Sequence, residues 1–188
     1  MDMDNIKERL DRLKETIQTT DFLEGKGLSN EVNIRIFCYD PKDEMVVRHF
    51  VKQTKEDPTL TCNLIECDLY KIFLSICDQK KITASIPQIE ERKGKEFLLK
   101  HLRNTANERA FIEKIQYSPH QFGKDILLLT GVGDVFPFMR VHVLLEALQP
   151  CFSDIPILVM YPGIFDGHYL KLFNLLQPND YYRAFNLI

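Results

Sequence analysis

Gly131-Val132-Gly133-Asp134 lies between an apolar run and a periodic one, a place where backbone N–H groups can receive a phosphate. The pattern stops short of a nucleotide fingerprint. The dinucleotide motif asks for a third glycine where Phe136 stands, and no Gly-Lys-Ser or Gly-Lys-Thr occurs in the chain. Asp134 is also placed to cap the following helix, with Pro137 in its first turn, and a capping carboxylate repels phosphate. Gly131 and Gly133 therefore read as the glycines of a tight strand-to-helix turn, and no cofactor is expected.

A second constellation is acidic. Asp40, Asp68, Asp134 and Asp166 each follow an apolar run that reads as a strand. On a parallel sheet they line the carboxyl edge, where ligands bind, and several carboxylates there can hold Mg²⁺. Asp is equally the common helix N-cap and turn former, and on that reading no metal site exists. Pro162, Gly163 and Gly167 belong to the same edge. Arg140, His142, His168 and Arg183 offer acid–base or anion-binding groups near it. His142 falls on the apolar stripe of its helix, and Arg140 on a polar flank suited to an ion pair or a partner contact. No Ser or Cys occupies a nucleophile elbow, so no catalytic residue is assigned.

The elements that must position these groups follow from periodicity. Asp4 can cap a helix carrying Ile6, Leu10, Leu13 and Ile17 on one stripe. Val32 to Tyr39 alternates as a strand, and Asp40-Pro41 opens a helix with Met45, Val46, His49 and Phe50. Thr59 to Glu66 is a second strand. Asp68 caps the first of several helices, and Ser85/Gln88 and Thr105/Glu108 have capping-box spacing. Residues 68–118 thus form an all-helical stretch. Ile126–Thr130 and Ile157–Met160 are continuous apolar runs, the mark of central strands buried on both faces. After the turn Tyr161-Pro162-Gly163, a helix is expected with Phe165, Leu170, Leu172 and Phe173, then a last strand from Ala184 to Ile188. Strands separated by helices run mostly parallel. Right-handed crossovers then predict one α/β domain over residues 1–188: a doubly wound, mostly parallel sheet of about five strands with helices on both faces.

Composition sets outer bounds. The 188 residues carry a net charge of −3, which argues against general affinity for nucleic acid. Lys80, Lys81, Arg92, Lys93, Lys95, Lys100 and Arg103 interleave with Glu90, Glu91, Glu96 and Glu108, which reads as a salt-bridged solvated face. The five cysteines, Cys38, Cys62, Cys67, Cys77 and Cys151, have no metal-ligand spacing and read as reduced thiols. Met1 to Leu10 is polar, unlike a signal peptide, and no apolar run approaches a membrane span. A cytoplasmic protein is expected.

Three segments together resemble a known family. They are Thr130 to Phe138 with Arg140 and His142; Tyr161 to Gly167 with Leu170 and Phe173; and Tyr181-Tyr182-Arg183-Ala184-Phe185. In order and spacing these resemble BrxB, a family of small components of the BREX phage-defence systems. The motifs cover about the last third of the chain. The resemblance implies a role inside a multi-protein complex with a site-specific DNA methyltransferase, a large ATPase and the phosphatase-like protein PglZ. It implies an adaptor without catalytic activity, with PglZ as the expected neighbour, and carries over no catalytic residues. Two other classes stay open: a nucleotide- or metal-dependent enzyme or sensor at the carboxyl edge, and a nucleic-acid-binding module on the helical stretch.

Overall fold

Period-two alternation builds the sheet. The computed structural model describes residues 5–26, 33–165, 169–176 and 185–186. In strand β1 (Ile34–Tyr39), Ile34, Ile36 and Cys38 enter one hydrophobic cluster, while Phe37 and Tyr39 enter a second. Strand β3 (Asp125–Thr130) divides the same way, Leu127 and Leu129 against Ile126 and Leu128. So does β4 (Ile157–Phe165), with Ile157, Val159 and Tyr161 against Leu158 and Met160. Each strand is apolar on both faces because both faces are covered. Burying one such Leu or Ile contributes roughly 1.5–3 kcal/mol.

Strand β2 (Asn63–Asp68) forms one edge and the short β6 (Phe185–Asn186) the other. The order β2-β3-β4-β1-β6 is parallel throughout. β3 and β4 occupy the interior positions their composition predicts. Helices α1 (Ile6–Thr16), α2 (Thr20–Leu23) and α3 (Glu44–Glu56) cover one face through Leu10, Leu13, Phe22, Val47 and Val51. The other face carries α4 (Leu69–Gln79), α5 (Ile86–Lys93), α6 (Lys95–Thr105), α7 (Glu108–Ile115), α8 (Val132–Val135) and α9 (Val141–Leu148). Phe73, Leu102, Phe111, Val135 and Leu144 are among the residues these helices bury there. The chain is therefore α/β with a doubly wound, mostly parallel sheet.

Several boundaries differ from the sequence expectation. β2 starts at Asn63, not Thr59, because the Asp57 carboxylate accepts from the Thr59 N–H (2.8 Å) and hydroxyl (2.7 Å) and holds a turn there. Ser85 and Thr105 do not cap. Their hydroxyls donate back to the Ile82 and His101 carbonyls, the local bond that competes with capping. Asn107 caps α7 instead, accepting from the Ala110 N–H at 3.1 Å. Asn5 caps α1, while Asp4 lies outside the described residues.

The largest correction follows Met160. No turn occurs at Tyr161-Pro162-Gly163, and no helix carries Leu170 and Leu172. β4 runs on to Phe165, and β5 (Leu170–Leu172) returns antiparallel, pairing Gly163 with Leu172 and Phe165 with Leu170. Leu170 and Leu172 are buried with Lys171 between them, a period of two that three residues are too few to reveal.

At the amino edge, Asp125 is only 3% exposed. Burial pushes its carboxyl up, but bonds from Asn63, the Gln121 N–H and Tyr117 outweigh this and hold it below the usual range. All five cysteines are free. Cys38, Cys62 and Cys77 are buried and Cys67 half-buried, whereas Cys151 is exposed. Burial pushes the Cys38 thiol up to about 12 and those of Cys62 and Cys67 to about 11, which keeps them protonated and inert. Among the described residues, no helix is long and apolar enough to cross a membrane.

Candidate functional site

The strand exits part company at the carboxyl edge. β1 leads to α3 on one face, while β2 and β3 lead to α4 and α8 on the other. Such a divergence opens a crevice in doubly wound sheets. Here it measures about 450 Å³ and lies between α3 and the ends of β1 to β4. α3 presents Glu44, Val47, Arg48, Val51, Lys52 and Lys55 to it, residues spaced three or four apart on one helical face. The sheet side adds Tyr39, Glu66, Asp68, Thr130 and Met160, and Glu56, Lys71 and Gly131 complete the lining.

Three of the four acidic groups of the crevice, Glu44, Glu66 and Asp68, are engaged, and Glu56 is exposed at the end of α3. Glu44 accepts from Arg48 Nε at 2.7 Å and from the Tyr39 hydroxyl at 2.6 Å. Burial of Tyr39, together with that bond, pushes its phenol far above the usual range and keeps it protonated. Arg48 also pairs with Asp134, joining α3 to α8 across the edge. Lys55 Nζ donates to Glu66 Oε2 at 2.6 Å, and Thr130 Oγ1 donates to Glu66 Oε1 at 2.9 Å. Asp68 caps α4, accepting from the Tyr70 and Lys71 N–H groups at 3.1 Å each. Lys71 Nζ lies 3.1 Å from its other oxygen.

Asp68 also explains the turn after β3. Gly131 has φ +69°, and a Cβ there would stand 2.7 Å from Asp68 Oδ1. Glycine meets both demands, a left-handed backbone and a close approach. Asp134 is not an N-cap. It lies inside α8, which ends at Val135, and Pro137 follows a cis peptide bond between α8 and α9. The expected single helix is thus two. α9 starts after Arg140, whose side chain makes no cap bond.

On the far side of that turn lies an apolar groove of about 130 Å³. Val132, Phe136, Met139, Tyr161, Leu170 and Leu176 line it, with Arg140 and His142. Beside it, a Cβ at Gly133 would stand 2.9 Å from Phe173 Cε1 and 3.2 Å from Pro162 Cγ, so glycine lets α8 pack on β4 and on the residue after β5. At Gly163 a Cβ would come within 2.2 Å of the Lys171 carbonyl oxygen, so the β4–β5 hairpin requires glycine. Arg103 Nε donates to the Pro137 carbonyl at 2.8 Å, and Phe138 stacks on Phe73 at 4.4 Å, fixing the link between α8 and α9.

Of the expected residues, Gly131 lines the crevice and Arg140 and His142 line the groove, while Gly133 packs against Pro162 and Gly163 against β5 beside it. Asp166, Gly167, His168, Tyr182 and Arg183 lie outside the described residues. Of the four expected edge aspartates, the three among the described residues, Asp40, Asp68 and Asp134, do not converge. Asp68 lines the crevice, Asp134 reaches it through Arg48, and Asp40 caps an exposed turn before α3. Among the described residues, no group of three or more His, Cys, Asp or Glu side chains is arranged to hold a metal. Motif reading missed Arg48, Lys52, Lys55 and Glu66. The signal available was the charge-bearing stripe at three- and four-residue spacing on α3.

These features define a doubly wound α/β protein with a mixed-charge crevice on the carboxyl edge and an apolar groove beside it. The family profile described as BREX protein BrxB matches residues 65–187. Over 196 aligned positions the chain is 38% identical to a BREX protein BrxB of Bacillus cereus (strain H3081.97), with 99% of each covered. It is 28% identical to a BREX protein BrxB of Escherichia coli O9:H4 (strain HS), covering 96% of this chain and 90% of that one. No solved structure matches. The chain belongs to the BrxB family of BREX proteins.

Proposed function

We propose that this chain is a non-catalytic component of a BREX-type antiviral complex, which restricts phage and methylates host DNA. Its role there is that of an adaptor binding a PglZ-like partner, with the methyltransferase and the large ATPase as further members of the assembly. The observation that carries this reading is similarity to a BREX protein over 99% of both chains. The chemistry of the carboxyl edge supports it. Glu44, Glu66 and Asp68 are engaged by cations, hydroxyls and helix N–H groups, which leaves them poorly placed as bases or metal ligands.

The adaptor surface we assign is the rim of the apolar groove. Arg140 is exposed there, and Ile164 (45% exposed), Leu175 (80%) and Leu176 (42%) surround the β4–β5 hairpin. Arginine is among the residues enriched at binding hot spots, and the exposed Leu and Ile side chains add apolar area around it. The test is a pulldown with the PglZ-like protein beside a plaque assay, using folded variants. Arg140→Glu and Leu176→Asp are expected to weaken capture about tenfold or more and to lower restriction. Capture unchanged in both variants would overturn the surface assignment. Loss of restriction in Asp134→Asn, with capture intact, would overturn the non-catalytic reading.

A further inference from the structure

We propose that the crevice between α3 and the carboxyl ends of β2 and β3 is a binding site for a small phosphate-bearing ligand. This stands apart from partner binding at the groove and uses different residues. Three observations carry it. The first is position: ligands of open parallel sheets bind outside the carboxyl ends where the connections diverge, and the crevice occupies that place. The second is size: about 450 Å³ lies within the range of small-molecule sites, roughly 300–1,000 Å³.

The third is a two-part lining. Val47, Val51 and Met160 supply an apolar portion, while Arg48, Lys52, Lys55 and Lys71 supply cations. Among the described residues Lys52 makes no ion pair. Lys71 and Lys55 are tied only by surface pairs, with side chains 79% and 39% exposed. Such pairs contribute about 0–1 kcal/mol, so a ligand displaces them at little cost. A single carboxylate offers Lys55 no more than Glu66 already does. A phosphate carries more charge and several oxygens, and so engages several amines at once.

The four crevice carboxylates do not veto an anion. Glu44 stays paired with Arg48 and Tyr39, Glu66 keeps the Thr130 hydroxyl, and Asp68 keeps the α4 N–H groups when Lys55 and Lys71 turn to a ligand. Glu56 remains, exposed at the C-terminal end of α3. Amines would do the holding here, not a glycine-rich loop. That accounts for a site with no Walker or dinucleotide pattern.

The experiment is titration calorimetry beside thermal melting, in EDTA at low salt, with pyrophosphate, AMP and ATP as probes. The expected result is binding that weakens about tenfold or more in Lys52→Gln/Lys71→Gln, whose two sites are exposed and whose circular dichroism should match the parent. Binding should also weaken as salt rises. ATP binding tighter than pyrophosphate would place a nucleoside on Val47, Val51 and Met160. Equal binding would retain the phosphate site and assign a non-nucleotide ligand. No binding of any probe at millimolar concentration would overturn the proposal, as would affinity unchanged in the double variant. A short single-stranded oligonucleotide binding more tightly than ATP would overturn it in favour of nucleic acid.

Discussion

The crevice and the groove begin on adjacent residues and differ in nearly everything else. Gly131 lines the first and Val132 the second. The crevice is held by ion pairs between elements, Arg48–Asp134 joining α3 to α8 and Lys55–Glu66 joining α3 to β2. The groove is held by glycine-permitted contacts, with Gly133 against Phe173 and Gly163 against the Lys171 carbonyl. One strand-to-helix turn thus serves two kinds of surface. Exposed charge pairs yield to salt and to competing ions, so the crevice is adjustable. Close packing yields to neither and fails when an atom is added, so the groove is all-or-none.

The sharpest way to break the groove is Gly163→Ala. A Cβ within 2.2 Å of a backbone oxygen cannot be relieved by rotating a side chain, so the hairpin must move. Urea denaturation should show a loss of about 2–4 kcal/mol, and the Arg140-side partner contact should go with it. A loss below about 0.5 kcal/mol would mean that β5 is not packed as described.

Gly131→Ala strikes the residue between the two clefts and should cost less, about 1–2 kcal/mol. The left-handed backbone at φ +69° contributes to that cost, and the 2.7 Å approach to Asp68 Oδ1 adds to it. Because Asp68 caps α4, the same change should loosen the first turn of that helix. Amide exchange at Tyr70 and Lys71, the N–H groups Asp68 accepts, would report it. Exchange at these amides unchanged in the variant would show that the turn and the cap are independent.

The smallest effect belongs to the crevice clasp. Arg48 and Asp134 are both more than two-fifths exposed, so Asp134→Asn should cost no more than about 1 kcal/mol. A double-mutant cycle with Arg48→Ala at low and high salt would measure the coupling, which should vanish as salt rises. Coupling that survived high salt would erase the contrast between an adjustable crevice and a rigid groove.

Much of the frame is legible from residue order alone. The alternation in β1 predicts a strand, the apolar runs of β3 and β4 predict strands covered on both faces, and the intervening helical stripes require parallel pairing. Asp68 is readable as an N-cap because its carboxylate acts within its own turn. Where several residues compete for one local role, order alone misleads. Thr105 and Asn107 both suit a cap, and only the end of α6 at Thr105 settles it for Asn107. The hairpin is hidden for another reason, since three residues of β5 show no period.

The site divides along the same line. What the sequence determined by itself was class and local shape: an α/β sheet, the turn glycine at Gly131, and the three segments that tie the chain to its family. Which polar groups meet follows from the tertiary structure. Arg48 and Asp134 stand 86 residues apart, and Glu66 and Thr130 stand 64 apart. Periodicity is a property of neighbours along the chain and carries no record of such partners. Strand order β2-β3-β4-β1 lays α3 across the ends of strands remote from it, which brings Arg48 to Asp134, and the parallel pairing of β2 with β3 sets Glu66 beside Thr130. The crevice is a product of that crossing.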